Sequence, residues 1–182
     1  MGHASTVWGI AFDPAGERMV TCSDDCTLKI WRCAMEQGEA LVASLWPVRC
    51  AAFAHSELRA GRSACVHGAG EPRYTLLETL AGHHGRTIFS VDWSSAGLIA
   101  TACADNCLRI LGPLPGGGGD GGGGGTSLVA PGAGLGLHCT REQAHALDLN
   151  CVRWHPTEPT LLASTSDDGT IKLWRYHPGT PA

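Results

Sequence analysis

The segment AHALDLNCVRWHPTEPTLLASTSDDGTIKLW, residues Ala144 to Trp174, decides the fold of this chain, because two related segments precede it. They are GHASTVWGIAFDPAGERMVTCSDDCTLKIW, from Gly2, and GHHGRTIFSVDWSSAGLIATACADNCLRIL, from Gly82. Three copies of one pattern in 182 residues indicate an array of repeated units. In such an array each unit relies on its neighbours to bury its apolar surface.

Each copy contains three short apolar runs separated by turn signals. In the third copy LNCVRW precedes the turn HPTEP, LLASTS precedes SDDG, and TIKLW closes the unit. Alternating apolar residues between such turns predict antiparallel strands joined by hairpins. A fourth, outer strand is expected ahead of each later copy. For the second copy it is TLLETL, after Tyr74, and for the third it lies within SLVAPGAGLGLHCT.

A His, a Ser or Thr, an Asp and a Trp recur when the copies are aligned from their last residues. The histidines then lie 28, 28 and 29 residues before the closing residue. The three sets are His3, Thr21, Asp25 and Trp31; His83, Thr101 and Asp105; and His145, Ser164, Asp168 and Trp174. The second set has Leu111 in place of the Trp, and leucine has no N–H to donate.

These sets contain the residue types of a Ser–His–Asp catalytic triad. An enzyme needs one active site, whereas this combination recurs in every copy. Residues that recur in every copy of a repeat typically stabilise the structure of each repeat. We therefore expect no catalytic residues in the chain.

The repeated pattern resembles the WD-repeat family, whose period of about 40 residues encodes the four antiparallel strands of one propeller blade. In that family the recurring His, Ser/Thr, Asp and Trp form a hydrogen-bonded chain within each blade. The runs RTIFSVDW, ATACADN and NCVRWHPTEPTLLAS are similar to the branch of the family that acts in cytosolic iron–sulfur cluster assembly. The resemblance implies an all-β fold: a partial propeller of three four-stranded blades, out of seven, with two long insertions.

The resemblance also sets the expected domain boundaries. The three WD repeats are expected at residues 1–32, 74–112 and 127–176. Residues 33–73 form an insertion expected to be disordered, since their sequence shows no repeat register. Residues 113–126 form a glycine-rich linker, because no Lys and Ser/Thr follow the glycines as in a phosphate-binding loop. Residues 177–182 form a C-terminal tail.

Composition excludes several classes of function. The net charge of −4, with 16% charged residues, provides no basic stripe for nucleic acid. No apolar stretch reaches the roughly 18 residues of a membrane span. Nine cysteines without a CxxC pair suit a reducing cytosol and show no metal-ligand spacing. We expect no cofactor and no bound metal.

The resemblance implies a scaffold role in the cytosolic iron–sulfur targeting complex, which delivers clusters to cytosolic and nuclear apoproteins. Its implied partners are a HEAT-repeat adaptor, a small α/β scaffold subunit and the client apoproteins. The implied location is the cytoplasm, with the nucleus as a second site. Two alternatives stay open: a generic WD40 protein-interaction module, or a truncated fragment that is non-functional or competes with the longer protein.

Partner-binding positions are predicted from repeat geometry, because the start of the first strand and the residue before each repeated Asp emerge at one face of a propeller. These positions are Thr6, Trp8 and Asp24; Thr87, Phe89 and Ala104; and Asp148, Asn150 and Asp167. Exposed aromatic residues are typical anchors at interfaces, and the carboxylates favour a basic partner. The alternative is that Trp8 and Phe89 only pack between neighbouring blades.

Overall fold

The computed structural model describes residues 2–34, 73–114 and 134–178. Within these ranges the chain forms strands and no helix. The strands are β1 (Val7–Phe12), β2 (Arg18–Ser23), β3 (Leu28–Ala34), β4 (Arg73–Leu80), β5 (Ile88–Trp93), β6 (Ile99–Cys103), β7 (Leu108–Pro113), β8 (Leu135–Arg141), β9 (Leu149–Trp154), β10 (Leu161–Ser166) and β11 (Ile171–Arg175). The predicted insertion and glycine-rich linker fall almost entirely outside the described residues.

The strands form three antiparallel sheets in the orders β1-β2-β3-β4, β5-β6-β7-β8 and β11-β10-β9. This architecture confirms the predicted all-β partial propeller. Two of the three sheets have the expected four strands, and the third has three strands among the described residues.

The outer strands join different sheets from those we expected. β4, which contains TLLETL, lies beside β3 and completes the first sheet, and β8 lies beside β7 and completes the second. The sequence repeat and the sheet are therefore offset by one strand. The physical reason is that the third strand of each sheet has a free edge, and the chain returns along that edge before the next inner strand begins.

Two apolar cores lie between successive sheets. Val20, Leu28 and Ile30 of the first sheet pack against Ile88, Val91 and Ile99 of the second. The opposite face of the second sheet packs on the third through Leu108, Ile110, Val152, Trp154 and Leu162. The inner strands β1, β5 and β9 lie side by side, so their starting residues meet at one edge of the molecule.

The outward faces of the first and third sheets carry apolar side chains at positions that are buried elsewhere. Ile171 and Leu173 are 74% and 72% exposed, whereas the aligned Leu28 and Ile30 are 0% and 2% exposed. Side chains at these positions face the next sheet in the array. The second sheet covers Leu28 and Ile30, whereas none of the described residues form a sheet over Ile171 and Leu173. Across the described segments, no helix is long and apolar enough to cross a membrane.

Candidate functional site

In the third sheet, the recurring residues form one continuous hydrogen-bonded chain. The Trp174 indole N–H donates to the Ser164 hydroxyl at 2.8 Å, and this hydroxyl lies 2.8 Å from His145 Nε2. His145 Nδ1 lies 3.0 Å from an Asp168 carboxylate oxygen. A carboxylate only accepts hydrogen bonds, so Nδ1 carries the proton and Nε2 accepts from Ser164. Donation therefore runs in one direction along the chain, from Trp174 through Ser164 and His145 to the Asp168 carboxylate.

The first sheet repeats this arrangement. Trp31 donates to Thr21 at 2.9 Å, Thr21 lies 2.7 Å from His3 Nε2, and His3 Nδ1 lies 2.9 Å from Asp25. Asp25 also accepts the backbone N–H of Ala4 at 2.9 Å. The carboxylate therefore joins the segment before β1 to the turn between β2 and β3.

Hydrogen bonds hold both aspartates ionised. Burial acts to raise the pKa of Asp25, but donors from Thr27, Ala4 and His3 outweigh it and lower the pKa well below its usual value. Donation from Thr170 is the main cause that lowers the pKa of Asp168, against a smaller opposing effect of burial. The residue after each aspartate has a left-handed backbone, with φ of 62° at Cys26 and 76° at Gly169. This turn places the next threonine where it can donate to the carboxylate.

The second sheet corrects one predicted residue. Its histidine is His84, which is 7% exposed and whose Nε2 lies 2.9 Å from Thr101 Oγ1. His83, the predicted member, is half-buried and takes no place in the hydrogen bonds described for this sheet. The adjacent His84, which is not in the predicted set, fills the position instead.

Hairpin length explains why the alignment selected the wrong histidine. The residues paired across the first hairpin are Phe12 and Met19 in the first sheet, but Trp93 and Ile99 in the second, which is one residue shorter. Counting the same number of residues back from the closing residue therefore reaches one residue too far in the second copy, at His83 and not His84. Counting forward to the inner strand avoids the shift, since His3, His84 and His145 each lie four residues before their strand.

Asp105 has a different partner from Asp25 and Asp168. Arg109 binds it with two nitrogens, at 3.0 and 2.8 Å. Burial acts to raise the pKa of Asp105, but the bonds and charge of Arg109 outweigh it and lower the pKa to about 2. Lys29 and Lys172 occupy the aligned positions in the other sheets. The change from Lys to Arg was the sequence signal for this ion pair.

The geometry argues for a structural role of these chains. Ser164 is 1% exposed, and its oxygen already contacts both His145 and Trp174. A nucleophilic hydroxyl must reach a substrate, whereas this one is enclosed by its own sheet. The chains hold the residues before each inner strand against the turn of the same sheet.

The predicted partner-binding residues lie together where the inner strands begin. The Trp8 indole N–H donates to Asp24 at 2.6 Å, and Thr87 of the neighbouring sheet donates to the same oxygen at 2.9 Å. The rings of Trp8 and Phe89 meet edge to face at 5.7 Å between centroids. Trp8 remains 37% exposed. The aromatic pair therefore packs between sheets and also presents surface to solvent.

The same edge continues onto the third sheet. Asn150 donates to Asp167 at 2.5 Å, and the Asp167 backbone N–H donates to the carbonyl of Asp148. On the first sheet the backbone N–H of Asp24 donates to Thr6 in the equivalent bond. Arg86, which is not among the predicted residues, donates to the Ala104 carbonyl and lies 3.4 Å from Asp148. We call the nine predicted residues and Arg86 the recognition edge.

Comparison with known proteins places these features in context. The model of the WD domain, G-beta repeat, matches residues 1–32, 74–110 and 137–175. A Chlamydomonas reinhardtii protein named probable cytosolic iron-sulfur protein assembly protein CIAO1 homolog is 41% identical over 95% of this chain and 43% of its own length. The similarly named Ciao1 of Aedes aegypti is 34% identical over 98% of this chain and 43% of its own. The Homo sapiens CIAO1 is 38% identical over 58% and 28%, respectively. The chain thus spans less than half the length of these curated relatives.

Proposed function

Because the chain belongs to the WD40-repeat family, we propose that it is a non-catalytic scaffold of cytosolic iron–sulfur protein assembly. It binds other proteins through the recognition edge and helps deliver clusters to cytosolic and nuclear apoproteins. Its partners are a HEAT-repeat adaptor, a small α/β scaffold subunit and the client apoproteins. It acts in the cytoplasm and also in the nucleus. The names of its relatives support the process, and the recognition edge supports the mode of action.

The observation that carries this proposal is the aromatic pair at the recognition edge. Trp8 is anchored at its N–H by Asp24 and at its ring by Phe89, so its orientation is set before a partner arrives. An ordered aromatic side chain loses little conformational entropy on binding and is a frequent hot spot. The exposed part of the Trp8 ring is therefore the best anchor for a partner.

Charge at the same edge selects the partner. Asp24, Asp148 and Asp167 supply three carboxylates, and the Arg86 guanidinium lies close to one of them. The excess of negative charge favours a partner with a basic contact region. Binding of such a partner weakens with salt, since charges at a rim are screened.

Affinity capture with the purified adaptor and α/β subunit tests the proposal. Trp8→Ala should weaken capture at least tenfold. Phe12→Ala is the matched control, because Phe12 is an exposed aromatic residue on the same strand, at its opposite end. Equal loss in both variants, or a melting temperature of Trp8→Ala that falls together with its binding, would contradict an interface role for Trp8.

A competing fragment is the second candidate, and the outward faces of the sheets favour it. Ile171 and Leu173 are exposed where aligned residues are covered by another sheet. A chain with such faces could hold partners without completing the assembly. Adding it to a mixture of the longer relative and its partners should then inhibit cluster delivery, whereas a functional scaffold should support it.

A further inference from the structure

The start of β1 places an aromatic ring beside a carboxylate, within the recognition edge. The Trp8 indole N–H donates to Asp24 Oδ1 at 2.6 Å. An indole N–H points outward in the plane of its ring, so the carboxylate lies at the edge of the ring and does not cover its face. Trp8 is 37% exposed. A ligand can therefore reach the ring from solvent with a negative charge directly beside it.

One oxygen of this carboxylate is occupied and the other is open. Oδ1 accepts from Trp8 and also from Thr87, at 2.9 Å. Oδ2 accepts no hydrogen bond from the described residues, and no cation among them pairs with Asp24. Arg86, the cation of the recognition edge, lies instead 3.4 Å from Asp148. The open oxygen of Asp24 can thus accept a charged donor from a partner.

The combination of ring and carboxylate is specific to the first sheet. The positions to compare are the second residue of each inner strand and the residue before each repeated Asp. In chain order they hold Trp8 and Asp24, Phe89 and Ala104, and Asn150 and Asp167. The second sheet therefore has a ring without a carboxylate, and the third has a carboxylate without a ring. Among the described sheets, the first alone brings both groups to one place.

The second sheet holds this site in place before a partner arrives. Phe89 meets the Trp8 ring at 5.7 Å between centroids, with 77° between the ring planes. Thr87 fixes the Asp24 carboxylate by its hydroxyl. The apolar core between the two sheets sets their relative position. A site ordered in this way loses little conformational entropy on binding.

The chemistry of the site matches a guanidinium group. A guanidinium is planar, stacks on aromatic faces and carries N–H donors around its rim. Stacked on the Trp8 ring, it has Asp24 Oδ2 within reach of these donors, so the cation–π attraction and the charge-assisted hydrogen bond act together. A lysine ammonium is a compact, strongly hydrated charge that cannot stack in this way. The site therefore favours arginine over lysine.

We propose that this site binds one arginine side chain of the protein partner, with the guanidinium against the Trp8 ring and on Asp24 Oδ2. The inference rests on the proposed function, because it names the residue through which a basic partner contacts the recognition edge. Asp24 then determines specificity, whereas the aligned Asp167 contributes only negative charge.

Titration of N-acetyl-arginine amide into the isotope-labelled 182-residue chain, followed by NMR, tests the site. The Trp8 indole N–H resonance, located by its absence from Trp8→Leu, reports the binding. We expect a saturable shift, which the lysine and citrulline amides produce only at about tenfold higher concentration. Circular dichroism of each variant checks that the sheets are intact.

Two matched variants separate a specific site from general charge attraction. Asp24→Asn keeps an acceptor for the Trp8 N–H but removes the charge, and should weaken binding of the arginine amide about tenfold. Asp167→Asn removes the same charge from the aligned position, where Asn150 stands in place of the ring, and should bind like the parent protein.

The outcomes distinguish the arginine site from the proposed function. The absence of a saturable shift, equal binding of the arginine and lysine amides, or equal loss in Asp24→Asn and Asp167→Asn would overturn the arginine site. If Trp8→Ala also loses capture of the adaptor and α/β subunit, the recognition edge stands and only the arginine site is wrong. Specific binding of the arginine amide with unchanged capture by Trp8→Ala would support the site and contradict the proposed partners.

Discussion

Replacing Ser164 by alanine should destabilise the third sheet without altering its surface. Ser164 is 1% exposed and stands at the centre of its hydrogen-bonded chain. Its oxygen receives the Trp174 N–H at 2.8 Å, and its hydroxyl proton points to His145 Nε2 at 2.8 Å. The substitution removes both bonds while leaving the two partners in place.

The size of the effect depends on whether each partner can reach water. Trp174 is half-buried, so its N–H can regain a water molecule. His145 is 2% exposed, and its Nε2 would remain buried and unpaired. One buried unsatisfied group costs about 1 to 3 kcal/mol. For a chain of this size, that corresponds to a fall in melting temperature of roughly 3 to 10 °C.

Thermal unfolding followed by circular dichroism measures this effect, with two controls. Ser164→Thr keeps the hydroxyl, as Thr21 and Thr101 do at the aligned positions, and should melt near the parent protein. Thr165→Ala changes the neighbouring residue on the opposite face of β10 and should shift the midpoint only slightly. A midpoint of Ser164→Ala within 1 °C of Thr165→Ala would refute the reasoning.

Three further predictions concern the second sheet. His84→Ala should lower the melting temperature, whereas His83→Ala should leave it unchanged; the reverse result would restore the alignment-based assignment. Burial, followed by the Arg109 charge, lowers the pKa of His84 from 6.5 to about 3. The unfolded chain then binds a proton that the folded chain does not, so stability present above pH 6.5 should be lost as the pH falls toward 3. Urea unfolding at pH 7 and pH 5 should show this loss, and His84→Gln should reduce it. Arg109→Met should cost about 1 to 3 kcal/mol, because Asp105 loses a two-point charged partner; an unchanged urea midpoint would contradict the ion pair's contribution.

Local patterns in the sequence predicted much of the fold. Alternating apolar residues with turns such as SDDG predicted the strands of each copy, and their repetition predicted stacked sheets. The recurring His, Thr and Asp indicated a structural role, and the residues of the first and third sheets that carry it lie within hydrogen-bond distance of one another. These features depend on residues close in sequence or on the repeat itself.

The second sheet shows where sequence reasoning failed. A hairpin one residue shorter moved the alignment from His84 to His83, although the strand positions do not change. The partner of Asp105 was also missed, although Arg109 lies only four residues further along the chain, where the other two copies have Lys29 and Lys172.

The sequence by itself determined that this chain is an array of antiparallel hairpins with buried polar chains, since periodicity and turn chemistry are local properties. Only the tertiary structure decided which sheet each outer strand completes, which histidine enters the second sheet, and how Trp8 meets Phe89. The physical reason is that these outcomes depend on the pairing of segments far apart in the chain. The outer edge of β3 and the buried His84 Nε2, for example, are each satisfied by a partner that packing brings within reach.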